Sequence, residues 1–184
     1  PPLRSSAASD VYKRQVYPAV PTQFHDDFSL DLKSTQKHVE AILEEGIHGL
    51  IMLGTIGENC SLSLDEKVKV LKATKEVCGD SVPLLNGIAE FTTAGACETA
   101  KAAAGAGVDG FMLMPGMVYN SDRRETVNHF RTVAAATDLP IMCYNNPPVY
   151  RVDITPEMFE DLADVDTIVC IKEAAGDTRR ITDL

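Results

Sequence analysis

The sequence predicts an α/β protein in which strands and helices alternate along the chain and the strands form a parallel sheet. Short apolar runs without polar alternation recur, for example over 49–53 and 167–171, and such runs are typical of strands buried on both faces. Apolar residues at helical spacing follow each run. The repeat of roughly 25 to 30 residues, with short connections, fits successive strand–helix–strand units.

The first predicted strand covers residues 16–22, where Pro18 and Pro21 indicate an irregular or edge strand. The helix after it has Ser29 available as its N-cap and Gly46 at its end. The other strands are predicted over 49–53, 82–86, 110–114, 139–143 and 167–173.

Helix-start signals follow several of these strands. Ser63 and Glu66 form a capping box that opens a helix running to about Val77. Thr155 opens another helix, with Pro156 at its first position. Two more helices are predicted over 93–106 and around 127–133.

Six such units fit two architectures, an open doubly wound sheet and a closed (β/α)8 (TIM) barrel. A barrel needs about 250 residues, so this chain of 184 residues would be a barrel truncated to about six β/α units over 16–184. The stretch 180–184 looks like the front of a helix and favours the truncated barrel. Residues 1–15 do not continue the periodicity and look like a translated adapter sequence, so we expect a disordered, non-native leader.

Composition excludes several classes of function. The formal net charge of -10 argues against sequence-independent nucleic-acid binding, which needs a basic surface. Five scattered cysteines without a CxxC pair are typical of reduced thiols in a cytoplasmic protein. The four histidines are separated, so we expect no metal site. No apolar stretch approaches the length of a membrane span.

Reactive side chains follow three strands, at the carboxyl ends where α/β folds place their reactive face. The turn 54–58 follows strand two, Tyr144 lies at the end of strand five, and Lys172 lies at the end of strand six. Neighbouring parallel strands are roughly 5 Å apart, so the side chains of Tyr144 and Lys172 can meet at the ends of their strands. Two-residue alternation is expected to put Lys172 on one face with Ile168 and Cys170.

These positions suggest imine chemistry. Burial lowers the pKa of a lysine, and the neutral amine of Lys172 would attack a carbonyl to form a Schiff base. The phenol of Tyr144 would move protons, and backbone N–H groups around Thr55 would hold a small carboxylate. The structural alternatives are a surface lysine, a strand-end aromatic and an ordinary turn residue.

Three motifs, in this order and spacing, resemble those of the dihydrodipicolinate synthase / N-acetylneuraminate lyase family. They are Gly54-Thr55-Ile56-Gly57-Glu58, Tyr144-Asn145-Asn146-Pro147 and Ile171-Lys172-Glu173-Ala174, and the similarity runs from about residue 16 to the end. The resemblance implies a (β/α)8 barrel of a homotetrameric class I aldolase, lyase or dehydratase of the pyruvate type. It also implies that no metal or organic cofactor takes part.

The resemblance further implies roles for individual residues. Lys172 would form the Schiff base with an α-keto acid, Tyr144 would transfer protons, and Thr55 would hydrogen bond to Tyr144. Tyr119 is an offset candidate for a catalytic tyrosine donated across a subunit interface. The residues expected to bind substrate are Gly54, Thr55, Ile56 and Gly57.

Departures from the family pattern bear on the substrate. Ile56 replaces the usual second threonine, Val149 replaces the arginine with which the synthase clamps aspartate semialdehyde, and Arg151 stands where relatives tend to have glycine. Residues 115–120 replace the usual paired tyrosines. We therefore expect a catabolic dehydratase, deaminase or retro-aldolase rather than the lysine-pathway synthase.

Two alternatives concern catalysis itself. The fold could serve a small-ligand binding protein that has no turnover. The 184-residue polypeptide could also be inactive or poorly soluble on its own, since a partial barrel leaves unpaired strand edges.

Overall fold

The computed structural model describes residues 15–184, so most of the predicted leader lies outside the described residues. The strands are β1 (Ala19–Val20), β2 (Leu50–Met52), β3 (Leu84–Ile88), β4 (Gly110–Leu113), β5 (Ile141–Asn145) and β6 (Ile168–Glu173). The longer helices are α1 (Leu32–Glu44), α2 (Leu64–Cys78), α3 (Thr93–Gly105) and α4 (Arg123–Ala134). The short helices are α5 (Pro147–Tyr150), α6 (Pro156–Glu160) and α7 (Arg180–Asp183), and 3-10 turns cover Thr55–Gly57 and Asn59–Ser61.

The order of the strands decides between the two predicted architectures. The six strands lie side by side in chain order, and each pairs in parallel with the next. A doubly wound sheet reverses its strand order at a switch point, and this sheet does not. Connections between parallel neighbours are right-handed in nearly all proteins, so the crossover helices between successive strands are expected on one side of the sheet. The chain therefore forms six β/α units of a TIM barrel, and the open-sheet alternative is wrong.

The two faces of the sheet contact different apolar clusters. The outer cluster includes Leu50, Met52, Phe111 and Leu113 from strands and Val70, Leu71, Phe130 and Val133 from helices. The inner cluster consists of Ile51, Ala89, Met112, Met114 and Tyr150, with Tyr17, Leu85, Met117, Met142 and Tyr144 packed against it. Strand residues thus alternate between the two clusters. Because residues from all four longer helices, such as Val39, Val70, Ala100 and Phe130, belong to the outer cluster, the inner cluster lies on the barrel-interior face.

Capping side chains fix where several helices begin. Ser63 accepts a hydrogen bond from the Glu66 N–H and completes the predicted capping box, a contribution of about 1 kcal/mol. The first helix differs from prediction, since its N-cap is Asp31 and not Ser29. The Ser29 hydroxyl and N–H both donate to Asp27 instead.

An irregularity in β6 changes which residues face the barrel interior. Ile141 pairs with Ile168, but the next residue, Met142, pairs with Cys170, so Val169 is the extra residue of a bulge. Ile168 therefore packs against the outer cluster. The prediction that Ile168 shares a face with Lys172 is wrong, because the bulge shifts the alternation by one residue.

Two observations on residues 15–184 bear on partners. No helix in this range is long and apolar enough to cross a membrane. Within the same range, no three His, Cys, Asp or Glu side chains are grouped in a way that could hold a metal ion.

Candidate active site

Lys172 and Tyr144 meet at the carboxyl ends of β5 and β6. Their Cα atoms are register partners, and the Lys172 Nζ lies 4.3 Å from the centroid of the Tyr144 ring. The same nitrogen is 3.9 Å from the Met112 Sδ, in the inner cluster. Burial among these groups lowers the pKa of the half-buried Lys172. The structure thus brings together the two residues predicted to carry the chemistry.

Asn145 fixes the alignment of the ends of β5 and β6, a role that sequence reasoning missed. Its fully buried amide donates from Nδ2 to the Glu173 carboxylate at 3.0 Å and to Asp153 Oδ1 at 3.0 Å. Its Oδ1 accepts a hydrogen bond from the Ile154 N–H at 2.9 Å. Asn145 follows Tyr144 and Glu173 follows Lys172, so this amide–carboxylate bond fixes the strand register beside the candidate pair. The only signal in the sequence was its place directly after Tyr144 in the motif of residues 144–147.

Arg180 extends this network to the last helix. Its guanidinium donates to Asp153 Oδ2 at 2.7 Å. Burial raises the pKa of Asp153, but the hydrogen bonds from Arg180 and Asn145 outweigh that effect, so the pKa lies below the usual range. Asp153 therefore remains a carboxylate and keeps its acceptors available to Asn145.

The turn after β2 presents free backbone donors at the rim. The Gly57 N–H donates to the Gly54 carbonyl at 3.0 Å, and the Glu58 N–H donates to the Thr55 carbonyl at 3.2 Å. These bonds close a 3-10 turn whose first N–H groups, those of Thr55 and Ile56, donate to no other residue in the described range. Both side chains are exposed, so the free donors face an accessible rim.

Gly87 on β3 allows this turn to pack closely against the neighbouring strand. A Cβ at this position would lie 2.3 Å from the Leu53 carbonyl oxygen and 2.9 Å from the Gly54 Cα. Leu53 itself has a φ of 55°, an uncommon conformation for a residue other than glycine. The position of the turn therefore depends on the missing side chain at residue 87.

The hydroxyl of Thr55 pairs with Tyr150, where the resemblance implied Tyr144. Thr55 Oγ1 and Tyr150 Oη are 2.5 Å apart. The Tyr150 ring meets the Tyr144 ring edge-on, with centroids 5.5 Å apart and an interplanar angle of 83°. Tyr144 Oη instead accepts a hydrogen bond from Asn146 Nδ2 at 2.9 Å. Sequence reasoning missed Tyr150 because it lies in α5, a short helix that the sequence did not predict.

Tyr119 lies apart from this group within the described chain. It is 84% exposed, and its neighbour Val118 has a φ of 80°. A cavity of about 200 Å³ separates this loop from α5. Its lining consists of Met117, Val118, Asn120, Val149, Tyr150 and Arg151. A role for Tyr119 across a subunit interface remains a prediction.

A family model now relates this geometry to known proteins. The model of the Dihydrodipicolinate synthetase family matches residues 13–184. The chain belongs to this family. Family membership confirms the resemblance deduced from the three motifs.

Two curated members of the dihydrodipicolinate synthetase family illustrate the similarity. The 4-hydroxy-tetrahydrodipicolinate synthases of Desulforamulus reducens and Corynebacterium diphtheriae are each 38% identical to this chain, over 172 and 166 residues respectively. The alignments cover 92% and 90% of this chain but only 58% and 55% of the relatives. The chain thus spans little more than half of their length.

Solved structures of the family have the same fold. The chloride-inhibited dihydrodipicolinate synthase of Acinetobacter baumannii, complexed with pyruvate, matches with a TM-score of 0.86 and 31% identity, covering 90% of this chain and 57% of that one. A prophage protein of the family from E. coli K12, also in complex with pyruvate, matches with a TM-score of 0.87 and 26% identity, covering 92% and 57%. These matches confirm the truncated TIM-barrel prediction.

Proposed function

We propose that the protein carrying this sequence is a lyase that forms a Schiff base between Lys172 and an α-keto acid. The observation that carries the proposal is the 4.3 Å contact between the Lys172 Nζ and the Tyr144 ring, on the interior face of the barrel. Burial lowers the pKa of Lys172 and so favours its neutral, nucleophilic form. Membership of the family and the named synthase relatives support a pyruvate-dependent lyase.

In the proposed reaction, the Lys172 nitrogen attacks C2 of the α-keto acid. A C–N bond forms and the C2–O bond breaks, and the oxygen leaves as water with the two protons of the neutral amine. Tyr144 moves these protons, because its ring centroid lies 4.3 Å from the nitrogen and its oxygen accepts only the Asn146 hydrogen bond in the described chain. One further proton, taken up from solvent through the Tyr144 phenol, converts the neutral imine to its cationic form, which serves as the electron sink for cleavage, dehydration or deamination. No step calls for a metal or organic cofactor.

The turn at Thr55 and Ile56 would hold the substrate carboxylate. Its two free N–H groups can bind an anion without the help of a charged side chain. Gly54 and Gly57 keep the turn tight, and the Gly57 N–H bond to the Gly54 carbonyl closes it. Ile56, 58% exposed, adds an apolar surface where the family has a hydroxyl. We propose all four residues of the turn as the substrate-binding segment.

The nature of the second substrate separates two candidate reactions. The curated relatives named above are 4-hydroxy-tetrahydrodipicolinate synthases, which favours that condensation. Val149, 54% exposed at the cavity beside α5, provides no charge where the synthase clamps aspartate semialdehyde. We therefore propose a catabolic α-keto acid lyase as the first candidate and the synthase as the second. Comparing turnover of aspartate semialdehyde plus pyruvate with turnover of hydroxylated sugar acids distinguishes them.

Borohydride reduction in the presence of pyruvate tests the Schiff base. The full-length protein is expected to gain one reduced pyruvate adduct, and Lys172→Arg is expected to gain none. A folded protein that remains unmodified would contradict the proposal. If Lys172→Arg keeps wild-type pyruvate affinity and the wild type shows no adduct, the protein is a ligand-binding protein and not a lyase.

We also propose a homo-oligomer, a tetramer, in the cytoplasm. The scattered free cysteines favour a reducing compartment. The predicted interface role of Tyr119, which is exposed in a single chain, favours association. The mass of the full-length protein in solution tests the assembly, and a monomer at micromolar concentration would contradict it.

A further inference from the structure

One buried phenol has no role in the proposed reaction. Tyr150 is only 9% exposed and belongs to the inner cluster. Its hydroxyl contacts Thr55 Oγ1, and its ring packs nearly perpendicular to the Tyr144 ring. A single side chain thus touches two of the residues proposed for proton transfer and substrate binding.

We propose that Tyr150 is a positioning residue that fixes both the Thr55 hydroxyl at the rim and the Tyr144 ring beneath Lys172. The inference rests on the proposed function, because it assigns Tyr150 a part in the same proton transfer. The hydrogen bond between the Thr55 hydroxyl and a phenol then lies within one chain.

The two phenols have different surroundings, which separates their roles. The Tyr144 oxygen accepts from Asn146 Nδ2, so its own proton is free to reach a substrate. The Tyr150 oxygen is instead engaged with Thr55 Oγ1, at 2.5 Å. Burial raises the pKa of Tyr150 despite this hydrogen bond, so the group stays a neutral phenol. Tyr144 therefore suits proton exchange with substrate, and Tyr150 suits a fixed supporting position.

Tyr150 also connects strands that are otherwise apart in the sheet. Thr55 follows β2 and Tyr144 belongs to β5, with β3 and β4 between them. A bond from α5 to the β2 turn spans this distance across the barrel mouth, and it fixes an exposed hydroxyl that would otherwise rotate freely. Tyr119, 84% exposed, makes no such contact in the described chain.

Exchange of the pyruvate methyl protons with deuterium tests the proposal in the full-length protein. This exchange requires both the imine and proton transfer. In Tyr150→Phe, which keeps the ring, we expect exchange to slow by about tenfold or more, with the borohydride adduct on Lys172 retained and the KM for pyruvate nearly unchanged. Tyr17→Phe, which alters another tyrosine packed against the inner cluster, is the matched control and should exchange at the wild-type rate.

A double-mutant cycle shows whether Tyr150 acts through Thr55. Because both residues contribute to one hydrogen bond, Thr55→Val combined with Tyr150→Phe should be no slower than the slower single variant. Multiplying losses, or wild-type exchange in Tyr150→Phe, would overturn the proposal. If Tyr150→Phe does not fold, Thr55→Val removes the same bond from an exposed residue, and wild-type exchange there overturns it.

The same measurements separate this inference from the proposed function. Absence of an adduct in the wild-type protein would refute the Schiff base itself. An adduct in both proteins with equal exchange rates would refute only the role of Tyr150.

Discussion

Asn145→Asp is a sharp test of the network that aligns β5 with β6. The substitution keeps the shape of the side chain but removes the Nδ2 donor shared by Glu173 and Asp153. It also places a third carboxyl group against those two carboxylates in a fully buried position. The Ile154 N–H still has an acceptor, so the variant isolates the loss of the donor and the new charge.

The expected loss of stability follows from the bonds removed. A hydrogen bond to a charged group contributes about 1.5–3 kcal/mol, so losing two of them costs about 3–6 kcal/mol before repulsion is counted. For a domain of this size, about 1 kcal/mol changes Tm by about 2–4 °C. A decrease in Tm of about 6 °C or more is therefore expected at neutral pH.

Lowering the pH is expected to narrow the difference in stability between Asn145→Asp and the wild type. Repulsion raises the folded-state pKa of the new carboxyl group above its unfolded value, so its penalty fades as the pH falls through that raised pKa. The wild-type protein instead loses stability at low pH, because the pKa of Asp153 is lowered in the folded state. Its contribution to stability is present above the unfolded pKa and is lost as the pH falls.

Thermal unfolding of the full-length protein between about pH 3 and pH 8 measures both effects, because the contribution of Asp153 is lost only as the pH falls below the ordinary pKa of 3.8. Asn146→Asp is the matched control, because Asn146 is half-buried and donates to a phenol rather than to carboxylates. We expect it to lose far less stability and to show no comparable pH dependence. Equal destabilisation by both variants, or a penalty for Asn145→Asp that grows as the pH falls, would refute the reasoning.

Three more perturbations test other parts of the account. The rate of borohydride-trapped imine formation should rise with pH through a Lys172 pKa below the ordinary value of about 10.4, and a midpoint at or above that value would contradict the proposed burial. Gly87→Ala should displace the neighbouring turn, since the new Cβ would lie 2.3 Å from a backbone oxygen; weaker pyruvate binding by calorimetry is expected, and wild-type affinity would count against the turn as the carboxylate site. Glu90→Gln should cost about 3–5 kcal/mol in denaturant unfolding because it leaves the buried Lys67 unpaired. Asp65→Asn at an exposed ion pair should cost at most about 1 kcal/mol, and similar losses in the two variants would refute the distinction.

Much of the fold could be predicted because local signals and burial agree along the chain. The apolar runs at β2, β4 and β5 alternate between the outer and inner clusters as buried parallel strands should. The capping box at Ser63 fixed one helix start. The bulge at Val169 could not be predicted, because it depends on how β6 pairs with β5 and not on residues of β6 alone.

The candidate site likewise contains residues that could be predicted from the sequence and residues that could not. Lys172 and Tyr144 were predictable because each ends a strand, and the carboxyl ends of neighbouring parallel strands meet. Tyr150 was not, because its contact with Thr55 joins residues 95 positions apart through a short helix that begins with two prolines. The role of Asn145 was also missed, because its hydrogen-bond partner, the Glu173 carboxylate, belongs to another strand.

Peptide mapping after reduction with borohydride and pyruvate tests the central claim most directly. We expect a reduced pyruvate adduct on the peptide that contains Lys172, and none on the peptide that contains Lys67, whose Nζ is 2.6 Å from the Glu90 carboxylate. An adduct spread over several lysines, or absent from Lys172 in the folded full-length protein, would contradict it.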